Sequence, residues 1–459
     1  MTTTTPETDS YYLAHQKVYA REVTGRFARL RTAAVWILLG LFYLVPFLQW
    51  NGRQAVLFDL PARKFYIFGL VLWPQDFVFL TWLLVIAALA LFFFTAVGGR
   101  VWCGFACPQT VWTEAFVAME RWTEGTRAAQ MKLDAAPWSA NKILRKSAKQ
   151  ALWIGFALWT GFTFVGYFTP ITHLAHELVT FSLGSWETFW ILFYGFATYG
   201  NAGFLREQVC KYMCPYARFQ SAMFDKDTLI ITYDEGRGEP RGGRKRGVEP
   251  EAVGLGACSE CTLCVQGCPT GIDIRQGLQY ECIACAACVD ACDSVMDKMN
   301  YPRGLIRYDT QHALEHKKTH VLRPRVVVYG ALLSLLVVGF FVALGLRQPI
   351  GVDVLRDRNA LYRILDDGQL ENVYTVKILN KSEQTRRFQV SVNDPERLSI
   401  DPAAPSFLVE SGSVYPAAIR VRRDAYEPLG PETIRFTITA EDDPRLTASA
   451  ETRLLAPAR

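Results

Sequence analysis

The chain has 459 residues, half of them hydrophobic and 13 % aromatic, with a formal net charge of +5 and a mean hydropathy of +0.10. A chain this long holds two or three domains, and its mix of apolar and polar residues excludes a single large soluble core. The small net charge excludes the overall basic character that points to nucleic acid.

The N-terminal arm, residues 1–32, is polar and shows no apolar core close behind a charged start, so no cleavable signal peptide is expected. Five segments follow that are apolar and long enough for a bilayer, which needs about 20 residues. They lie at 33–50, 77–97, 150–168, 187–205 and 326–346; Pro46 interrupts the first and Asn201 the fourth. Lysines and arginines number five in the arm, eight between spans two and three, and seventeen after span four. Three follow span one and none follows span three. The richer segments are expected in the cytoplasm and the poorer ones outside. With five spans the tail also faces outward, where a long translocated domain escapes the charge rule.

Spans two and four each exit into the same pattern, GGRVWCGFACPQT and REQVCKYMCPYAR, so a pair of spans followed by C-x3-C-P occurs twice. Cys103 with Cys107, and Cys210 with Cys214, would each share one face if helical, close enough to hold a soft metal. Buried apolar residues at a helix end are the plain alternative; repetition at equivalent depths favours function.

Between spans four and five, about residues 250–300, lies CSECTLCVQGCPTGIDIRQGLQYECIACAACVDACDSV. It contains C-x2-C-x2-C-x3-C twice, thirteen residues apart. Four thiolates hold one 4Fe-4S cluster, and in two-cluster ferredoxins the fourth cysteine of each run serves the other cluster. The expected sets are Cys258, Cys261, Cys264 and Cys292 for cluster one, and Cys282, Cys285, Cys288 and Cys268 for cluster two. Pro269 follows the first run, whereas Asp293 stands after the second. Zinc, which needs four ligands per site, is the weaker reading of eight cysteines at this spacing.

Other features carry less. The stretch GRGEPRGGRKRGVEP reads as a flexible linker at the membrane surface. His312, His316 and His320 repeat every four residues and would line one helical stripe, either a Cu(II) ligand set or a solvated face. His173 and His176 have no partner pair that would make a bis-histidine haem site. The outer loop DLPARKFYIFGLVLWPQD, with Asp59, Arg63, Lys64 and Asp76, reads as an interfacial aromatic belt or as part of a quinone-proximal site. From residue 347 to 459 the chain shows short β-rich runs, VYTVKILN, RRFQVSV, SVYPAAIRVRR and TIRFTITA. Turn residues separate them, so an Ig-like antiparallel sandwich of about seven strands is expected. It would serve as an interaction or structural module.

The predicted fold is thus a polytopic α-helical membrane protein: an arm (1–32), four spans (33–205), a cytoplasmic segment with a ferredoxin-like insert (206–325), a fifth span (326–346) and an outer Ig-like domain (347–459). This ordered combination, with PARKFYIFGLVLWPQD and RVWCGFACPQTVWTE, resembles the CcoG family of cytochrome c oxidase accessory proteins, also called FixG or RdxA. The resemblance covers nearly the whole chain. It implies a bacterial inner-membrane protein that reduces Cu(II) to Cu(I) for assembly of a cbb3-type oxidase, a cupric reductase. Oxidase assembly factors or a copper transporter would then be its partners, with Cys103, Cys107, Cys210 and Cys214 on the copper. Two other readings stand beside it: an electron-transfer subunit of a quinol dehydrogenase, and an assembly scaffold without enzymatic activity. No nucleotide-binding glycine motif is visible, and the electron donor is not named by any motif.

Overall fold

The computed structural model describes residues 17–357, 360–424 and 432–456. The first sixteen residues of the arm and the last three of the chain lie outside the described residues. The chain divides into two compact units, residues 1–47 with 85–335 and residues 48–84 with 336–459.

Three helices, Arg26–Phe47, Phe77–Gly98 and Pro324–Gly345, are long and apolar enough to cross a membrane. Their large side chains face outward, among them Trp36, Leu41, Leu84, Phe94, Leu335 and Phe341. Apolar residues on every side are stable only in a core or in lipid, so this is a membrane protein. The two other expected spans are also helical, but their composition is less decisive. Helix Ala140–Val165 opens with Lys142, Arg145, Lys146 and Lys149, which shortens its apolar part. Helix Ser185–Thr198 has fourteen residues and continues as a π-helix over Tyr199–Leu205. These two helices approach closely at Gly161, where a Cβ would lie 2.2 Å from the Ile191 carbonyl oxygen. Small residues permit such contacts between apolar helices.

In the first unit the cysteine-rich insert folds around a two-stranded antiparallel sheet, Ile230–Tyr233 with Ile306–Asp309, in the register Ile231↔Tyr308. Helix Ala287–Met299 packs on it, burying Val289, Val295 and Met296. The same helix reaches the first apolar helix. Asp290 accepts hydrogen bonds from the Phe27 and Ala28 amides, at 3.2 and 2.7 Å. It therefore supplies the missing N-terminal cap, and a carboxylate there also meets the positive end of the helix dipole. Gly25 makes room: a Cβ there would lie 2.3 Å from Asp290 Cγ. Asp290→Ala should cost about 1 kcal/mol, the usual worth of a cap. Hydrogen exchange should accelerate at the Phe27 and Ala28 amides, and Asp290→Asn should stay close to wild type.

The basic stretch at 236–250 is not a free linker. Arg237 Nη1 donates to the Arg303 carbonyl at 3.0 Å, and Arg244 Nε donates to Tyr301 Oη at 2.9 Å. Arg237 and Arg244 are held against the insert by these bonds.

The second unit contains the Ig-like domain. One sheet orders Ser399–Asp401, Val414–Asp424, Gln369–Asn380 and Ile350–Arg356, with Arg363–Ile364 also paired to Gln369–Asn380. The other orders Ser406–Val409, Arg386–Val392, Glu432–Ala440 and Thr447–Leu454. Alternate residues turn inward, so Tyr374, Val376, Ile378, Phe388, Ile419 and Phe436 form one core. The sheets have five and four strands, against about seven expected, because short edge strands such as Arg363–Ile364 carry no alternation to read. The stretch at 56–76 is ordered too. It forms a three-stranded sheet, Val56–Asp59, Lys64–Ile67 and Leu70–Leu72. Asp76, buried, pairs with Arg347 at 2.5 Å and Lys381 at 3.5 Å.

Candidate metal centre

The two C-x3-C-P motifs take one local shape. Cys107 caps helix Pro108–Glu124 and Cys214 caps helix Pro215–Met223, each extended and each followed by proline at the first helical position. The first cysteine of each pair lies in the preceding helical turn, Val101–Phe105 or the π-helix Val209–Met213. The pairs thus do not share the face of a continuous helix. Proline disfavours helical backbone in the residue before it, so the chain bends between the two thiols. Gln109 Nε2 joins the motifs, donating to the carbonyls of Asn201 at 2.8 Å and Arg206 at 3.1 Å.

The four thiols lie close enough to influence one another. Burial first, then Cys107, Cys210 and Cys214, push the Cys103 thiol up to about 12. Burial likewise raises Cys107, and takes Cys210 to about 11. Such thiols hold their protons at neutral pH until a metal displaces them. Among the described residues no three His, Cys, Asp or Glu side chains already surround a single-ion position.

The eight cysteines of the insert line two adjoining cavities. Cys258, Cys261, Cys264 and Cys292 line one, with Tyr233 and Arg275. Cys268, Cys282, Cys285 and Cys288 line the other, and Cys264 borders both. The two loops repeat one conformation. Glu260 and Thr262 at φ 56°, and Ala284 and Ala286 at φ 54° and 57°, flank the middle cysteine of each run. Left-handed backbone at non-glycine residues is costly, and its recurrence at matching positions marks a purpose-built pair of loops. Burial is the largest cause of raised thiols here as well, with Cys264 and Cys282 at about 11 and Cys285 and Cys292 at about 12. Four sulfurs lining each cavity fit a cluster of several irons, which needs wider sulfur spacing than a single ion. Cys261 is exposed, whereas Cys285 and Cys288 are buried.

Two of the C-x3-C-P cysteines reach the loop that lines the second cavity. Cys103 and Cys210 pack against the buried group Ile283, Cys285 and Ala287. The approach depends on Gly104, where a Cβ would lie 2.7 Å from the Ala284 carbonyl oxygen and 2.9 Å from Cys285 Cα. Arg31 and Tyr308 donate to the carbonyls of Cys285 and Ala284 and hold this loop from other sides. Arg100 donates to the carbonyls of Tyr280 and Ala217, and to that of Cys282 at 3.4 Å. Sequence reasoning missed Arg100 and Gly104, although both stand inside the first motif stretch, where a glycine between two cysteines signals close backbone approach.

The histidines do not assemble. Helix Gln311–Leu314 is one turn long and His316 is left-handed at φ 53°, so no stripe forms. His312 Nδ1 instead pairs with Asp227 Oδ1 at 2.8 Å, and His173 lies 3.6 Å from Glu177.

Comparison with known proteins adds the family. A family model described as a 4Fe-4S dicluster domain matches residues 205–311, and one described as a 4Fe-4S binding domain matches 80–122. An IG-like fold at the C-terminal of FixG matches 340–457. Protein RdxB of Cereibacter sphaeroides is 41 % identical over 87 % of this chain and 87 % of its own length. The chain belongs to the FixG family. Nitrogen fixation protein FixG of Rhizobium meliloti is 39 % identical, covering 83 % of this chain and 80 % of that one. Protein RdxA of Cereibacter sphaeroides is 40 % identical, covering 83 % of each. A crystal structure of a FixG-related protein from Vibrio parahaemolyticus matches 24 % of this chain and all of its own at 28 % identity, with a TM-score of 0.22. This FixG-family chain is therefore an iron–sulfur membrane protein with an Ig-like C-terminal domain.

Proposed function

We propose that this chain is a five-span inner-membrane electron-transfer protein that reduces Cu(II) to Cu(I) for assembly of a cbb3-type oxidase. In this reading residues 1–32 and 206–325 are cytoplasmic and 347–459 form an outer docking domain. Oxidase assembly factors or a copper transporter are its partners. Cys258, Cys261, Cys264 and Cys292 would hold one 4Fe-4S cluster, and Cys268, Cys282, Cys285 and Cys288 the other. The clusters, when bound, supply reversible one-electron storage. Cys103, Cys107, Cys210 and Cys214 would hold copper as substrate, because thiolates favour Cu(I).

One observation carries the proposal: Cys103 and Cys210 pack on the loop of Ile283, Cys285 and Ala287, and Ile283 and Cys285 of that loop line the second cavity. The order exposed Cys261, buried second cavity, thiol group gives electrons an entry and an exit. Delivering one electron to Cu(II) requires no general acid or base. Replacing all four C-x3-C-P cysteines with serine should leave both clusters intact by iron content and EPR, while Cu(I) retention and copper-driven reoxidation are lost. Unchanged copper reduction in that variant would remove the thiols from the mechanism.

A second reading has one specific observation behind it. The 4Fe-4S binding model covers 80–122, whose cysteines are Cys103 and Cys107. With Cys210 and Cys214 these would make a third cluster. Iron analysis separates the two readings, since copper handling needs iron for two clusters and the second reading needs iron for three.

A further inference from the structure

Arg100 is the most enclosed cation at the junction. It is 4 % exposed, although it follows directly on the apolar helix Phe77–Gly98. It stands three residues before Cys103, and its guanidinium reaches two other cysteine-bearing segments: the helix after Cys214, through the Ala217 carbonyl, and the loop of Cys282, through the carbonyls of Tyr280 and Cys282. These contacts are with carbonyl oxygens, and Nε is buried without a hydrogen-bond partner among the described residues. Its charge is thus uncompensated by any of its own hydrogen bonds. Two cations stand beside the first cavity. Arg244, which donates to the Cys258 carbonyl at 3.4 Å, is only part-buried, so water screens its charge more than that of Arg100. Arg275 is locked to Asp273 by two bonds, Nε to Oδ1 at 2.8 Å and Nη2 to Oδ2 at 2.7 Å, so its field is largely cancelled.

We propose that Arg100 is a positioning residue that clamps the Cys282–Cys288 loop onto the C-x3-C-P thiols, and whose unneutralised charge makes the second cluster the better electron acceptor of the two. The proposal rests on the reading that the two cavities hold 4Fe-4S clusters. Reduction adds one negative charge to a cluster, and a cation in a low-dielectric surrounding stabilises that added charge more strongly than it would in water. Arg31, which donates to the Cys285 carbonyl, has Glu114 3.8 Å away and acts in the same direction with part of its charge offset. The two cavities therefore differ in potential, with the electron drawn towards the copper side.

The test is an EPR-monitored potentiometric titration of the full chain in detergent, in which an electrode-poised mediator gives each oxidised cluster one electron. In the wild type two cluster signals are expected; their absence would sink the cluster reading itself. In Arg100→Gln one signal should become at least about tenfold less reduced at the wild-type midpoint, which is about 59 mV for a one-electron couple. The other signal should stay in place. Arg100→Lys, which keeps the charge but loses the planar fork, should titrate close to wild type at both clusters. If Arg100→Gln loses iron, Arg100→Lys with both clusters at wild-type potentials still supports the charge role. Neither signal moving in Arg100→Gln, both moving equally, or Arg100→Lys losing iron or shifting as far as Arg100→Gln would each overturn it.

Discussion

Gly104→Val should uncouple cluster binding from copper reduction. A Cβ at this position would meet the Ala284 carbonyl oxygen at 2.7 Å and the Ala284 carbonyl carbon and Cys285 Cα at 2.9 Å. All three are backbone atoms, so no side chain can turn aside to admit it. Either the turn Val101–Phe105 or the loop of Cys282–Cys288 must move, and overpacking of this kind costs about 1–3 kcal/mol. The contact falls on backbone atoms of Ala284 and Cys285 and on no cysteine sulfur. Iron content and both EPR signals should therefore persist, while copper-driven reoxidation falls to the level of the four-serine variant. A Gly104→Val protein that reduces copper at the wild-type rate would show that the close approach is not used.

The largest loss of stability is expected from Glu120→Ala. Glu120 is buried near the end of helix Pro108–Glu124, with Arg206 Nη2 at 2.7 Å, Lys17 Nζ at 2.9 Å and Lys149 Nζ at 3.7 Å. Glu124 sits beside it, paired with Lys149 and Lys146 at 2.9 Å each. Removing one partner of a buried pair leaves uncompensated charge and costs about 3–5 kcal/mol. Thermal unfolding in detergent, followed by tryptophan fluorescence, should show the loss. The effect reaches the site as well, because Arg206 shares its carbonyl with Gln109 and precedes Cys210 by four positions. Burial alone would raise the Glu120 carboxyl, but Arg206 and Lys17 outweigh it and hold it below its ordinary value of 4.5. A depressed carboxylate contributes stability that is fully present above the ordinary value and is lost as pH falls through the native one. The stability difference between wild type and Glu120→Gln should therefore be full at neutral pH and shrink below about pH 4.5. A difference that stays constant down through the acid range would contradict the ion-pair account.

What the sequence revealed was local, and what it concealed was distant. The ferredoxin spacing is readable because its ligands fall within two short loops, and the strands of the Ig-like domain because inward residues alternate. The shape of C-x3-C-P was misjudged although its cause is local: proline bars the preceding cysteine from the helix. The histidine stripe failed for a related reason, since a helix of one turn cannot carry an every-fourth-residue pattern. The outer loop and the basic stretch at 236–250 were read by composition alone, which does not show the partners that order them. Asp290 capping the first apolar helix joins residues 262 positions apart, and Arg100 reaches a carbonyl 180 positions away. No pattern in either neighbourhood announces such a pairing. The apolar spans sit between these cases, because the lysines at the start of Ala140–Val165 blur where its apolar part begins.

The central claim is that electrons held by the insert leave through the thiol group to copper. The direct measurement is stopped-flow absorbance of anaerobically purified, fully reduced protein mixed with Cu(II), with a Cu(I)-specific chelator present. The account predicts that both clusters are reoxidised and that one Cu(I) forms for each electron released, and that the four-serine variant does neither. Clusters that stay reduced with Cu(II) but are reoxidised by a quinone would contradict it and favour the quinol dehydrogenase reading.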